Sequence, residues 1–187
     1  EVVSTYLGAA QDRGVAYTAL LSTLIPAQTL ATVLASANGP EKAAVLYMQM
    51  LADQFAAGLR TQALDKGAQQ VVVANMPGIT YTPRFQAVLN AIAAAAGGGT
   101  TGAAARAQAE ALFQGWVGAF NQRLAATFAG DQRVRVVDIA GRLADQMARP
   151  AAYGVTNVTL PVCGGSGVTV VPERNFANCT AAALSGT

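Results

Sequence analysis

The sequence predicts an α/β fold built on a parallel sheet. Three observations carry that expectation. Two short β-branched runs, at residues 70–75 and 133–138, are each bounded by turn-forming residues. The stretches around them repeat apolar residues at spacings of three and four, the period of a helix with one buried face. The resulting order is helix, strand, helices, strand, helix, and a connection that leaves one strand and returns through helices joins parallel strands.

The first stretch, residues 2–34, is expected to be helical with breaks at Gly14 and Pro26. Asn38-Gly39-Pro40 is a turn, and Pro40 suits the first turn of a following helix because its missing N–H is not needed there. That helix should run from about Glu41 to Leu64, with Val45, Met48, Ala52, Phe55 and Leu59 on its apolar face and Gly67 as its C-terminal cap. Alanine, which is abundant, is read as a helix former rather than a core filler.

Residues 70–75 then form a strand buried on both faces, as parallel strands usually are. Met76-Pro77-Gly78-Ile79-Thr80-Tyr81-Thr82-Pro83 is a loop, and Pro83 opens the next helix, which reaches Ala96. The glycine-rich stretch 97–102 reads as a flexible connector. It lacks the Lys-Ser/Thr and the preceding strand that a phosphate-binding loop requires. A long helix follows to Phe128, with Leu112, Phe113, Trp116, Val117, Phe120 and Leu124 as its stripe. After the second strand a short helix ends at Pro150, and the remainder is irregular.

Composition narrows the function classes. With 52% hydrophobic and 12% charged residues the chain is too apolar to be disordered. The net charge is +2 and the basic residues form no cluster, which argues against nucleic-acid binding. No apolar run reaches the roughly 18 residues of a membrane span, since Pro26 and Gln28 interrupt the nearest one, and no signal peptide is visible behind Glu1. There is no histidine, so no His-dependent triad can be completed within the chain, and two cysteines without imidazole fall short of a usual zinc set.

Cys163 and Cys179 are either free thiols or a disulfide. The disulfide is the expected state, and in the loop-entropy model closing about 15 residues contributes about 3 kcal/mol. It would place the protein in an oxidising, secreted or extracytoplasmic setting.

Ligands of open parallel sheets sit beyond the carboxyl ends of the strands. Those ends carry Asn75 with the 76–83 loop, and Asp138. The loop is either a pocket wall, offering the hydroxyls of Tyr81 and Thr82, or an ordinary surface turn. Asp138 could orient a catalytic histidine, but the chain has none, and the expected role is to cap the next helix through a backbone N–H. Ser166, in Cys163-Gly164-Gly165-Ser166-Gly167, fails as a nucleophile elbow because Val168 stands where that motif needs glycine. Most acidic residues lie beside Arg or Gln on helix faces, a solvated-surface pattern.

Several segments together resemble the SGNH, or GDSL, hydrolase family. Gly67-Ala68-Gln69-Gln70-Val71-Val72-Val73-Ala74-Asn75-Met76-Pro77, with Thr82-Pro83 after it, resembles the family strand that reads GA, valines, N-(L/M)-P and then TP. Phe120-Asn121-Gln122-Arg123-Leu124 is similar to its FN-x-x-L helix. Val136-Val137-Asp138-Ile139, then Pro150-Ala151-Ala152-Tyr153-Gly154-Val155-Thr156-Asn157-Val158-Thr159, resembles the secreted, phospholipase-like branch, with Cys163 where that branch often has a cysteine. The matches run in family order from Ala63 to Cys179.

The resemblance implies a flavodoxin-like three-layer α/β/α fold, of which residues 1–187 are the central part of a single domain. It implies hydrolysis of carboxylic esters, lipid or short-chain, by a Ser-His-Asp mechanism without cofactor or metal. The family's G-D-S block, its oxyanion-hole Gly and Asn blocks and its D-x-x-H block have no counterpart here, so no catalytic residue is assigned to this chain. The missing catalytic segments would reside on a separate chain or have been lost. Residues implied near the substrate are Asn75, Pro77, Gly78, Tyr81, Thr82, Tyr153 and Asn157. A second expectation, from a different class, is a non-catalytic binding or structural module that retains the scaffold.

Overall fold

The computed structural model describes residues 1–156 and 158. The expectations placed on Asn157, Cys163, Ser166 and Cys179 therefore lie outside the described residues. The chain is mostly helical with a two-stranded parallel sheet among the described residues. Helices α1 (Val2–Asp12), α2 (Val15–Leu21), α3 (Ala27–Leu34) and α4 (Gly39–Gln62) precede strand β1 (Val71–Ala74). Helices α5 (Pro83–Ala95) and α6 (Gly99–Phe128) connect it to β2 (Val134–Val137), and α7 (Ile139–Ala148) follows.

The predicted punctuation is where the helices break. Arg13 and Gly14 both take left-handed backbone angles, φ 56° and 78°, and the Asp12 carboxylate accepts from the N–H groups of Gly14 and Ala16 at 2.9 Å each. That carboxylate satisfies donors that the start of α2 would otherwise leave open. Pro26 stands immediately before α3, Pro40 lies in the first turn of α4, and Pro83 opens α5. Helix α4 ends earlier than expected, at Gln62. Gly67 (φ 98°) instead caps a short 3₁₀ turn, Leu64–Lys66.

The strands pair in parallel with Val71 opposite Val134 and Ala74 opposite Val137. The ladder continues through Val71 N–H to Arg133 O (2.7 Å) and Asn75 N–H to Val137 O (3.0 Å). The expectation that β1 is buried on both faces fails. Val73 is buried, but Val72 is 71% exposed, beside its partner Arg135, which is also exposed. Only one face of this strand is covered, so it alternates as a half-buried strand does.

The fold divides into two compact units. The first holds residues 1–76 and 115–138. Its core is built from Leu21, Ile25, Trp116, Leu124 and their neighbours, and the predicted stripe of α6 is buried there at Trp116, Val117, Phe120 and Leu124. The face of α4 differs from expectation. Ala44, Met48, Ala52 and Ala56 are buried at intervals of four, together with Ala43 and Tyr47, whereas Phe55 is 45% exposed and Val45 and Leu59 are only half-buried. Alanine is core filler here, because small side chains let backbones approach closely. The same closeness governs Gly39, where an added Cβ would lie 2.3 Å from the Leu34 carbonyl oxygen, far inside contact distance.

An aromatic cluster joins α1, α2, α4 and α6 within this unit. The Tyr6 ring meets Tyr17 edge-on (centroids 5.6 Å apart) and Trp116 edge-on (5.1 Å). These are the arrangements that ring quadrupoles favour. The Tyr6 hydroxyl donates to Glu41 Oε1 at 2.7 Å, and the Tyr17 hydroxyl donates to the Pro40 carbonyl at 2.7 Å.

The second unit holds, among the described residues, 77–114 and those from 139 on. Leu89 and Phe113 are its buried apolar anchors, and Phe85 meets Phe113 edge-on at 5.5 Å. The expected connector at 97–102 is shorter than read. Gly97, Gly98 and Gly99 reverse the chain with positive φ, and α6 already begins at Gly99. Gly102 is therefore helical, and it is glycine because a Cβ there would come within 2.5 Å of the Ala93 carbonyl oxygen. No helix among the described residues is long and apolar enough to cross a membrane.

Two predictions follow from the first unit. Gly39→Ala should lower stability by about 1–3 kcal/mol through overpacking, read as a lower urea midpoint with an unchanged slope. Gly58→Ala, on the same helix with open space at its Cβ, should leave the midpoint unchanged or raise it. The second concerns alkali. Burial first, then the Glu41 hydrogen bond and charge, push the Tyr6 phenol up to about 12 from an ordinary 10.0. Tyr17 is raised as well, again chiefly by burial. The folded state favours the neutral phenols, so their contribution is complete below the ordinary value and is lost as pH rises through the raised one. Urea midpoints should fall across that window in the unaltered chain and fall less in Tyr6→Phe.

Candidate functional site

The carboxyl ends of β1 and β2 carry Asn75 and Asp138, and the structure brings the two together. Asn75 Nδ2 donates to Asp138 Oδ1 at 2.8 Å. One backbone bond below, Asn75 N–H completes the strand ladder with Val137, so the amide and carboxylate are held by the sheet itself. Asp138 immediately precedes α7.

A second amide fixes where the chain leaves β1. Asn121, on α6, accepts from the Met76 N–H through Oδ1 (2.7 Å) and donates to the Met76 carbonyl through Nδ2 (2.8 Å). A side-chain amide thus does at Met76 what a neighbouring strand would do, satisfying both main-chain groups at the point where the ladder stops. The sequence places Asn121 in a helix motif but does not reveal this contact.

In the second unit the loop after β1 is organised around Thr80, which is fully buried. Its carbonyl accepts from Gln86 Nε2 at 2.6 Å, and its hydroxyl accepts from Gln114 Nε2 at 3.3 Å. Gln86 Oε1 in turn accepts from the Arg106 guanidinium, which also reaches Asn90 Oδ1 (3.2 Å) and Glu110 Oε2 (3.1 Å). Arg106, Glu110 and Gln114 recur every four residues, so they occupy one face of α6. A buried polar residue costs stability unless it is hydrogen-bonded, and this chain of amides supplies the partners.

The sequence-predicted pocket residues occupy distinct places. Asn75 is half-buried in the first unit. Gly78 and Tyr81 meet within the loop: a Cβ on Gly78 would lie 2.8 Å from the Tyr81 ring, so the ring folds over bare backbone. Pro77 is exposed. The Thr82 hydroxyl donates to Ile79 O (2.8 Å) and accepts from Phe85 N–H (3.3 Å), which makes it the N-cap of α5. Tyr153, on the 3₁₀ turn Pro150–Tyr153, is 42% exposed and its hydroxyl donates to Asp145. Arg149 also binds that carboxylate (Nε to Oδ1, 2.8 Å). Arg149 first, and Tyr153 after it, hold the Asp145 carboxyl below the ordinary carboxylate range.

These groups can donate and accept hydrogen bonds to a polar ligand. The chain has no imidazole, so histidine-dependent proton transfer cannot be built from its own residues. Among the described residues no group of three or more acidic or cysteine side chains is placed to hold a metal ion. No family model, curated protein or solved structure matches the chain.

The Met76 clamp yields a prediction. Asn121→Ala leaves two part-buried main-chain groups without the amide, and should cost about 1–3 kcal/mol. Amide exchange at Met76 should accelerate more than exchange within β1. Unchanged protection of Met76 in the variant would show that the clamp does not hold the strand end.

Proposed function

We propose that the chain is the central portion of a carboxylic ester hydrolase of the SGNH type, completed by catalytic segments outside it. On this reading β1 and β2 belong to the parallel sheet of a flavodoxin-like three-layer α/β/α domain, in a secreted or extracytoplasmic protein. The substrate is a lipid or short-chain ester, and no cofactor takes part.

The observation that carries the reading is the pairing of Asn75 with Asp138 at the carboxyl ends of two parallel strands, where open α/β sheets receive their ligands. The motifs that resemble the family fall at these same positions: β1 with Asn75-Met76-Pro77, the Asn121 helix, and Asp138 after β2. Asn75, Pro77, Gly78, Tyr81, Thr82, Tyr153 and Asn157 would border the substrate. Nucleophile and base would come from the other segments, because a serine hydroxyl is weakly nucleophilic without an adjacent base.

The absence of histidine from the sequence favours a second reading, a non-catalytic module that keeps the scaffold. The two separate in a hydrolysis assay with p-nitrophenyl esters. The first requires turnover only when a segment with the Ser block and one with the D-x-x-H block are both added, and none from this chain alone. Turnover by the chain alone would sink it. No turnover in any combination, with a cooperative urea transition for the chain alone, would leave the module.

A further inference from the structure

We propose that Tyr6 and Glu41 form a proton-coupled trap that draws an oxidising hole out of the core from Trp116. Trp116 is the one tryptophan of the chain and is nearly fully buried. Its indole readily loses one electron, either to a diffusible radical oxidant or by photo-ionisation. The Tyr6 ring lies against it with centroids 5.1 Å apart, close enough for electron transfer without an intermediate. Tyr6 is only half-buried, so a hole that arrives there has moved toward solvent.

Proton chemistry sets the direction. A phenol gives up an electron easily only if its proton leaves at the same time. The Tyr6 hydroxyl donates to a carboxylate, Glu41 Oε1, at 2.7 Å, and a carboxylate can keep that proton. Tyr17 also touches Tyr6, but its hydroxyl donates to the Pro40 carbonyl at 2.7 Å. An amide carbonyl is too weak a base to keep a proton. The two tyrosines of the cluster therefore differ in kind, and the trap is Tyr6.

The step balances. The oxidant removes one electron from Trp116 and leaves an indole radical cation. One electron passes from the Tyr6 phenol to that cation, which restores neutral Trp116. The Tyr6 Oη proton passes to Glu41 Oε1, giving a neutral phenoxyl radical beside a neutral carboxylic acid. A small one-electron reductant of the ascorbate class then returns an electron to Tyr6, and Glu41 returns the proton. The core indole is thereby spared irreversible oxidation.

The test is laser flash photo-ionisation of the chain at the red edge of the indole band, with nitrous oxide to remove the ejected electron and tert-butanol to remove the resulting hydroxyl radical. The indole radical signal should convert into a phenoxyl signal in a first-order step that is independent of protein concentration and slower in deuterated water. Tyr6→Phe should abolish the step. Glu41→Gln, which retains a hydrogen-bond acceptor but not a base, should abolish or markedly slow it, and Tyr17→Phe should leave it intact. Each variant is first checked for the near-ultraviolet dichroism of the folded chain. Persistence of the step in Tyr6→Phe, or its loss in Tyr17→Phe, overturns the proposal. Should a variant fail to fold, the unaltered chain still decides: no conversion to phenoxyl, or conversion with no solvent isotope effect, overturns it.

Discussion

Parallel pairing of Val71–Ala74 with Val134–Val137 obliges the chain to leave the sheet at one end and re-enter at the other. Helices α5 and α6 make that journey. Because both strands point the same way, their ends coincide, and two residues far apart in sequence, Asn75 and Asp138, become hydrogen-bonded neighbours. The same geometry leaves the main chain at Met76 with no strand beside it among the described residues, and the Asn121 amide occupies that place. The polar groups at the sheet end are thus consequences of strand direction.

Small side chains set the second constraint. The buried line of α4 is mostly alanine, and Gly39 and Gly102 sit where a single extra carbon would strike a carbonyl oxygen. Such packing gives little apolar area per residue but brings backbones near one another. Dispersion contacts between backbones then replace part of what larger side chains would supply. The large side chains are concentrated on α6, whose Trp116, Phe120 and Leu124 fill the centre of the first unit.

The legible parts of the sequence were those written in backbone chemistry. Pro26, Pro40 and Pro83 restrict φ and remove a donor, Gly14 admits a left-handed φ, and each helix boundary they mark is present. The β-branched runs announced both strands and, through the helices between them, their parallel direction. The misread parts depend on distances that no single residue encodes. Gly102 read as part of a connector because its role is close approach to the Ala93 carbonyl of another helix, and Gly99 because positive φ there turns the chain directly into α6. Phe55 read as core because size suggests burial, whereas the helix turned its alanines inward. At the site, the loop after β1 and Asn75 could be located from the strand end. The amides that hold that region, Gln86, Gln114 and Asn121, could not, since a polar residue on a helix looks the same whether it faces water or a buried carbonyl. The four-residue recurrence of Arg106, Glu110 and Gln114 was the available signal.

The exposed side of β1 bears on how this chain behaves at high concentration. A valine open to solvent on a strand whose run is Val71-Val72-Val73 is the kind of segment on which other chains can stack. Its lateral neighbour is Arg135, and a guanidinium beside an exposed valine makes self-stacking costly, since every copy would bring a like charge into register. An exposed charge beside an exposed strand valine is the arrangement that discourages such stacking, and Arg135, which is exposed, supplies it without any part in the core.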